Sequence, residues 1–306
     1  MRPATLTAEQ RRLLDRLVDR HGVVGAADRI TRVEGDRSRL PLSSSQQRIW
    51  FFDQLQPEAA IYNVAGAARL RGRLDAELLR RCLSEIVERH EILRTTYHQI
   101  DGAPVQRVDP ATEQHLELVD LSAVPAGARE AAAADFCARE ARRPFDLTRD
   151  RMFRPTLVRL SEEEHLLLLC QHHIATDGWS LNVLMREIGG RYAAHLAGTR
   201  PQLPDLPVQY GDYAAWQRAW LDGEGMQAQL DYWKERLAES RLVDLSTGLP
   251  RPTTLSWDGG TLQRHIPADV VRRITAVAES EQATLYMALV AAQSVEIGRA
   301  SCRERV

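Results

Sequence analysis

The stretch CQHHIATDGWS, residues 170–180, holds the groups of this chain best suited to chemistry. Two adjacent imidazoles, His172 and His173, end a run of leucines, and Asp177, Gly178, Trp179 and Ser180 follow at once. A neutral imidazole takes up a proton at one ring nitrogen, which suits it to acid–base chemistry. Successive residues of a strand point to opposite faces. If the strand continues to them, the two rings diverge, so that one supports and the other acts. Gly178 permits a backbone turn that a side chain would oppose, and TDG reads as a tight loop before a helix. Two blander readings stand beside this one. The histidines are then either buried, hydrogen-bonded core residues with a loop aspartate, or two ligands of a His-His-Asp metal site. The first is costly unless every buried polar group finds a partner. The second suffers from the divergence of the rings and from the lack of another ligand cluster nearby.

The elements that must position these groups are legible from periodicity. EHLLLLCQHHI (164–174) is apolar on both faces, which predicts a strand in the middle of its sheet. HLELVDL (115–121) and MFRPTLVRL (152–160) read as further strands, and RTTYHQIDGAPVQRVD (94–109) as a hairpin about Asp101-Gly102. Residues 75–93 predict a helix capped by Asp75, with Leu78, Leu79, Cys82, Leu83, Ile86 and Val87 along one face. Residues 128–143 predict a second helix, stopped near Pro144. Residues 180–196 predict a third, with Ser180 as cap and Leu181, Leu184, Ile188 and Tyr192 facing inward. One of Ser43 to Ser45 caps a short helix holding Trp50, Phe51 and Phe52. An N-terminal helix is expected over 7–20, a proline-bearing connector over 197–210, and helices over 211–221 and 226–239. TLQRHI (261–266) is expected to be a strand before a last helix from Ala268. Strand runs mixed with helices predict an α+β fold, a mixed sheet flanked by helices.

Composition removes several function classes. The chain has 306 residues, 44% apolar and 27% charged, with a net charge of −2. Nothing electrostatic favours nucleic acid or an anionic membrane, and no run approaches the roughly 20 apolar residues of a membrane span. The four cysteines, Cys82, Cys137, Cys170 and Cys302, lack CxxC spacing, so neither a zinc site nor a disulfide framework is expected. A reducing, cytoplasmic setting follows as the expectation.

Several stretches together resemble the condensation domains of nonribosomal peptide synthetases, of the chloramphenicol acetyltransferase-like superfamily. HHIATDG matches the HHxxxDG signature. LPLSSSQQRIWFFDQL with YNV soon after, RHEILRTTY, RPFDL and VQYGDYAAWQR match further family motifs in the family's order, over roughly residues 39–295. The resemblance implies two similar lobes in a V. Residues 39–207 would form the N-terminal lobe and 208–295 the beginning of the second, after an N-terminal helix and linker over 1–38. That leading segment is either a loosely docked extension or a contact with a preceding protein. EIGRASCRERV (296–306) departs in texture from the helix before it and reads as an in-frame translation of a common sequencing adapter. It is therefore set aside, and a chain cut off mid-domain, inactive alone, is expected.

The resemblance also implies a reaction. Two peptidyl carrier protein domains, an upstream donor and a downstream acceptor, would each present an acyl group on a 4'-phosphopantetheine arm, with an adenylation domain in the same assembly line. The acceptor's α-amine would attack the donor thioester. No cofactor or metal would be bound directly. His173 matches the family's active histidine, as base or positioner, and His172 the supporting one. Asp177 would be structural, in an ion pair for which Arg94 is the candidate partner. Gly178 would let the backbone approach the site and offer an amide to the oxyanion. Trp179, Ser180, Tyr210, Asp212 and Trp216 are tunnel or structural candidates. An epimerisation domain is a weaker match, because DGWSLNV differs from DGVSWR-like sequences. A heterocyclisation domain would replace both histidines with aspartates. A stand-alone coenzyme A-dependent acyltransferase and a non-catalytic recruitment platform complete the alternatives.

Overall fold

A computed structural model describes residues 29–240, 260 and 262–303. The expected helix at 7–20 and the first part of the linker, through residue 28, lie outside them. The chain divides into two compact units, Met1–Asp244 and Leu245–Val306. Residues 208–240 fall within the first of these units.

The first unit is built on a four-stranded sheet in the order β2-β7-β6-β5, with β2 Asn63–Arg71, β5 Glu117–Asp120, β6 Phe153–Ser161 and β7 Glu164–His172. β7 pairs antiparallel with both neighbours, and β5 pairs parallel with β6, so the sheet is mixed. The central place expected for 164–174 is the one observed. The physical reason is visible in its side chains. Leu167 and Leu169 pack on one face with Leu79, Leu83 and Ile86 of α2 (Ala76–Arg89) and Leu184 and Ile188 of α4 (Gly178–Leu196). Leu168 and Cys170 pack on the other with Tyr97, Phe145 and Met152. Leu166 joins Ala133 of α3 (Ala126–Ala141). Periodicity alone missed β2: NVAGAARLR carries small residues where a strand signature would want branched ones. Its nine residues gain their conformation from pairing along all of β7.

A second, three-stranded sheet runs β1-β4-β3, from Leu40–Pro41, Ala103–Val108 and Thr95–Ile100. The hairpin turns at Asp101 and Gly102, both at positive φ (53° and 78°), as an Asp-Gly turn of the primed type requires. After β1, α1 (Ser44–Leu55) opens on a capping box. The Ser43 hydroxyl accepts from the Gln46 amide, and Gln46 Oε1 accepts from the Ser43 amide. After the 197–209 connector come α5 (Tyr210–Leu221) and α6 (Glu224–Leu237).

The second unit holds α7 (Ala268–Ser280) and α8 (Leu285–Arg303), which pack on each other. The single expected helix from Ala268 is thus two, and the second runs through residues 296–303 without a break. The expected strand at TLQRHI does not form over 262–266. A strand needs a neighbour to take its backbone hydrogen bonds, and none of the described strands lies beside this segment. Among the described residues no helix is long and apolar enough to cross a membrane.

Candidate active site

β7 ends at His172, and the chain turns through His173–Ala175 into α4. The rings diverge as strand alternation demands. His172 faces the core, 3% exposed, edge-on to Tyr62 and Phe145 at 6.1 and 6.0 Å between ring centres. Its Nδ1 accepts from the Ile174 amide at 3.3 Å, so in the neutral ring the proton sits on Nε2. Burial pushes its pKa down to about 4, and the neighbouring His173 charge adds to this. His172 is therefore an uncharged structural ring at neutral pH.

His173 is exposed on the opposite side. Its backbone amide donates to the Tyr62 carbonyl at 2.7 Å, which carries the β2–β7 pairing one residue past the strand. Its Nδ1 lies 2.7 Å from the Thr176 carbonyl oxygen. A carbonyl only accepts, so Nδ1 must carry the hydrogen and Nε2 is left with its lone pair. The short loop thus fixes both tautomer and ring orientation.

The loop is anchored by groups to which sequence reasoning assigned no role. Gln46, buried, donates from Nε2 to the Ile174 carbonyl at 3.3 Å and to the Tyr97 hydroxyl at 3.1 Å. The Tyr97 hydroxyl also faces the Ile174 carbonyl, at 3.5 Å. The SSSQQ and RTTY stretches therefore meet the histidine loop at one carbonyl, that of Ile174. The Ser43-x-x-Gln46 capping-box spacing was the signal available for Gln46.

Asp177 departs from expectation. It caps α4: Oδ1 accepts from the Ser180 amide at 2.7 Å and from the Ser180 hydroxyl at 2.6 Å. The hydrogen bonds from Ser180, followed by the Trp179 amide and the His173 charge, hold its carboxyl below the usual range, against a slight upward push from burial. It is exposed and does not pair with Arg94. Arg94 instead donates to the Asp109 carbonyl at the base of the hairpin, because its short helical turn (Glu91–Arg94) leads straight into β3. The cap is thus Asp177, and Ser180 sits three residues into the motif rather than at its head. Gly178 is the first residue of α4, and a Cβ there would meet nothing within 4 Å. Neither crowding nor positive φ requires glycine at this position.

Tyr210, Asp212 and Trp216 lie on α5, which docks against the start of α1. The Tyr210 hydroxyl is 3.0 Å from Ser43 Oγ, and the Ser44 amide donates to Gln217 Oε1 at 2.9 Å. Asp212 is fully buried. It accepts from the Gln209 amide (2.7 Å), the Val33 amide (3.0 Å) and Arg37 Nη1 (2.8 Å). Burial pushes this carboxyl up, but the two amides and Arg37 outweigh it and the net direction is down. Arg37 also reaches Glu91 at 2.6 Å, so Asp212 is a tie between segments. Trp216 stacks with Trp220 at 6.4 Å between ring centres.

A cleft of about 150 Å³ lies between the turn at 90–93, the histidine loop and the start of α4. Ile92, Leu93, Val183 and Leu184 give it apolar walls, Gln171 and Thr176 contribute polar atoms, and Trp179, 79% exposed, stands at its edge. His90 also borders it, with its Nε2 held 2.9 Å from Glu187. Among the described residues no cluster of three potential metal-binding side chains occurs.

A mixed sheet whose central strand delivers one buried and one presented imidazole defines a chloramphenicol acetyltransferase-like lobe. The chain belongs to the condensation domain family, whose pattern matches residues 36–306. A linear gramicidin synthase polypeptide from Brevibacillus parabrevis is 44% identical over 254 residues, 83% of this chain. Phosphinothricin tripeptide synthetase PhsC from Streptomyces viridochromogenes is 35% identical over 289 residues, 94% of this chain. The chain spans 3% and 27% of the lengths of these two relatives. Among solved structures, the X-domain from teicoplanin biosynthesis aligns with a TM-score of 0.72 and 32% identity, over 83% of this chain and 56% of that one. The starter condensation domain of rhizomide synthetase RzmA shares the fold at a TM-score of 0.61 and 21% identity, over 66% of this chain and 48% of that one.

Proposed function

We propose that this chain is part of a nonribosomal peptide synthetase condensation domain that joins a carrier-bound aminoacyl amine to an upstream carrier-bound acyl or peptidyl thioester. Both substrates arrive on 4'-phosphopantetheine arms of carrier domains, in the cytoplasm, charged by adenylation domains of the same assembly line. The observation that supports this most is the His173 ring: its Nδ1 hydrogen is committed to Thr176, the residue is exposed, and Nε2 has no hydrogen-bond partner among the described residues.

The chemistry needs little more. An α-amine of pKa near 8 has a free-base fraction at neutral pH, and a thioester is already activated. Holding the two together can supply roughly 7–11 kcal/mol of the barrier. As the amine nitrogen adds to the carbonyl it becomes acidic, and His173 Nε2 takes its proton or hydrogen-bonds it, worth about 10²–10⁴-fold. Collapse of the tetrahedral intermediate then expels the donor thiolate, which is protonated. His172 keeps the strand end rigid from behind, and Gln46, Tyr97 and Thr176 hold the loop.

The test is single-turnover amide formation, read by mass spectrometry, in the full parent enzyme with loaded donor and acceptor carriers. His173→Ala should slow it by about 10²–10⁴-fold with the melting temperature unchanged. A normal rate in that variant would refute the assignment.

A further inference from the structure

Two residues lining the cleft beside the histidine loop each hold a buried polar atom without a hydrogen-bond partner among the described residues: Gln171 Nε2 and Thr176 Oγ1. Gln171 is 2% exposed and Thr176 6%. Buried polar groups are normally paired, so unpaired ones at the wall of a cavity point to something that enters it. Their placement relates them to the reacting ring. Gln171 is two residues before His173 and shares its side of the strand end. Thr176 holds the His173 ring through its own carbonyl and is itself one of the residues lining the cleft.

Size and chemistry narrow the occupant. An apolar protein cavity of about 150 Å³ holds a molecule such as benzene, and this cleft has that volume and mainly apolar walls. A whole pantetheine arm is far too long for it. A side chain branching from the α-carbon is not, and that carbon is one bond from the reacting amine or carbonyl. The amide Nε2 of glutamine only donates, whereas the threonine hydroxyl both donates and accepts. A phenolic hydroxyl accepts from the first and exchanges a hydrogen bond with the second.

Resting on the function proposed above, we propose that this cleft receives the side chain of one aminoacyl substrate, of about benzene size and ending in a hydroxyl, and that Gln171 and Thr176 set that preference. A site built to hydrogen-bond a substrate hydroxyl discriminates strongly against the analogue lacking it.

The experiment uses the full parent enzyme with tyrosyl- and phenylalanyl-loaded carriers. One arm varies the donor at fixed acceptor, and the other varies the acceptor at fixed donor. The readout is the tyrosyl-to-phenylalanyl ratio of kcat/KM, which is independent of any general loss of activity. In one arm the wild-type ratio should be at least about tenfold. It should fall towards one in Gln171→Leu and Thr176→Val and persist in Thr176→Ser, which keeps the hydroxyl. A wild-type ratio near one in both arms overturns the proposal whatever the variants do, and would mean that water alone fills the cleft. A ratio that survives both Gln171→Leu and Thr176→Val overturns it as well. Absence of amide from every loaded pair would instead sink the underlying function, and this proposal with it.

Discussion

Lowering the pH from about 7.5 to about 5 should cost the first unit roughly 2 kcal/mol through His172 alone. The unfolded ring binds a proton near pH 6.5, whereas burial among Tyr62, Phe145 and the strand end delays protonation of the folded ring to about pH 4. Stability from this group is therefore complete above about pH 6.5 and is lost as pH falls towards 4, up to roughly 3 kcal/mol in all. Asp53 acts against it in the same window. Burial, then the Asp146 charge, raises its pKa to about 6, so the folded carboxyl takes its proton before the unfolded one and stability rises as pH drops through 6. An Asp53→Asn background removes that opposing slope. The assay is urea unfolding at the two pH values, with and without His172→Asn, whose side-chain oxygen can still accept from the Ile174 amide. His172→Asn should lower stability at neutral pH through lost ring packing, yet flatten the pH dependence by about 2 kcal/mol. An unchanged pH slope would show that His172 is not a buried neutral ring, and the division of labour between the two histidines would fall with it.

Three further outcomes follow from other contacts. Asp212→Ala should cost about 3 kcal/mol in urea unfolding, because it leaves two backbone amides without an acceptor and takes from Arg37 one of its two carboxylate partners, Glu91 remaining. Gly211→Ala should cost roughly 1–3 kcal/mol, since its Cβ would lie 2.6 Å from Cδ1 of the buried Leu40; a wild-type melting temperature would refute that packing. Asp177→Ala should cost only about 1 kcal/mol, the loss of an exposed helix cap. Calorimetry showing a loss several times larger would point instead to a buried ion pair.

The sequence by itself determined most of the local elements and which side chains are suited to chemistry. A leucine run apolar on both faces had to be a central strand, and alternation alone required the two histidines to part. The Asp75 cap, the Asp-Gly hairpin and the inward faces of α2 and α4 follow from short-range rules of the same kind. Tertiary structure decided what depends on neighbours distant in the chain. NVAGAARLR became a strand because β7 lay open beside it, and residues 262–266 did not, since none of the described strands lies beside them. Arg94 went to Asp109 and Asp177 to its own helix, since a side chain satisfies the partner its backbone brings nearest, and spacing in sequence does not say which that is. The tautomer of His173 was likewise beyond the sequence. It depends on a carbonyl three residues on, folded back to 2.7 Å by a loop that Gln46 and Tyr97 fasten from far away in the chain.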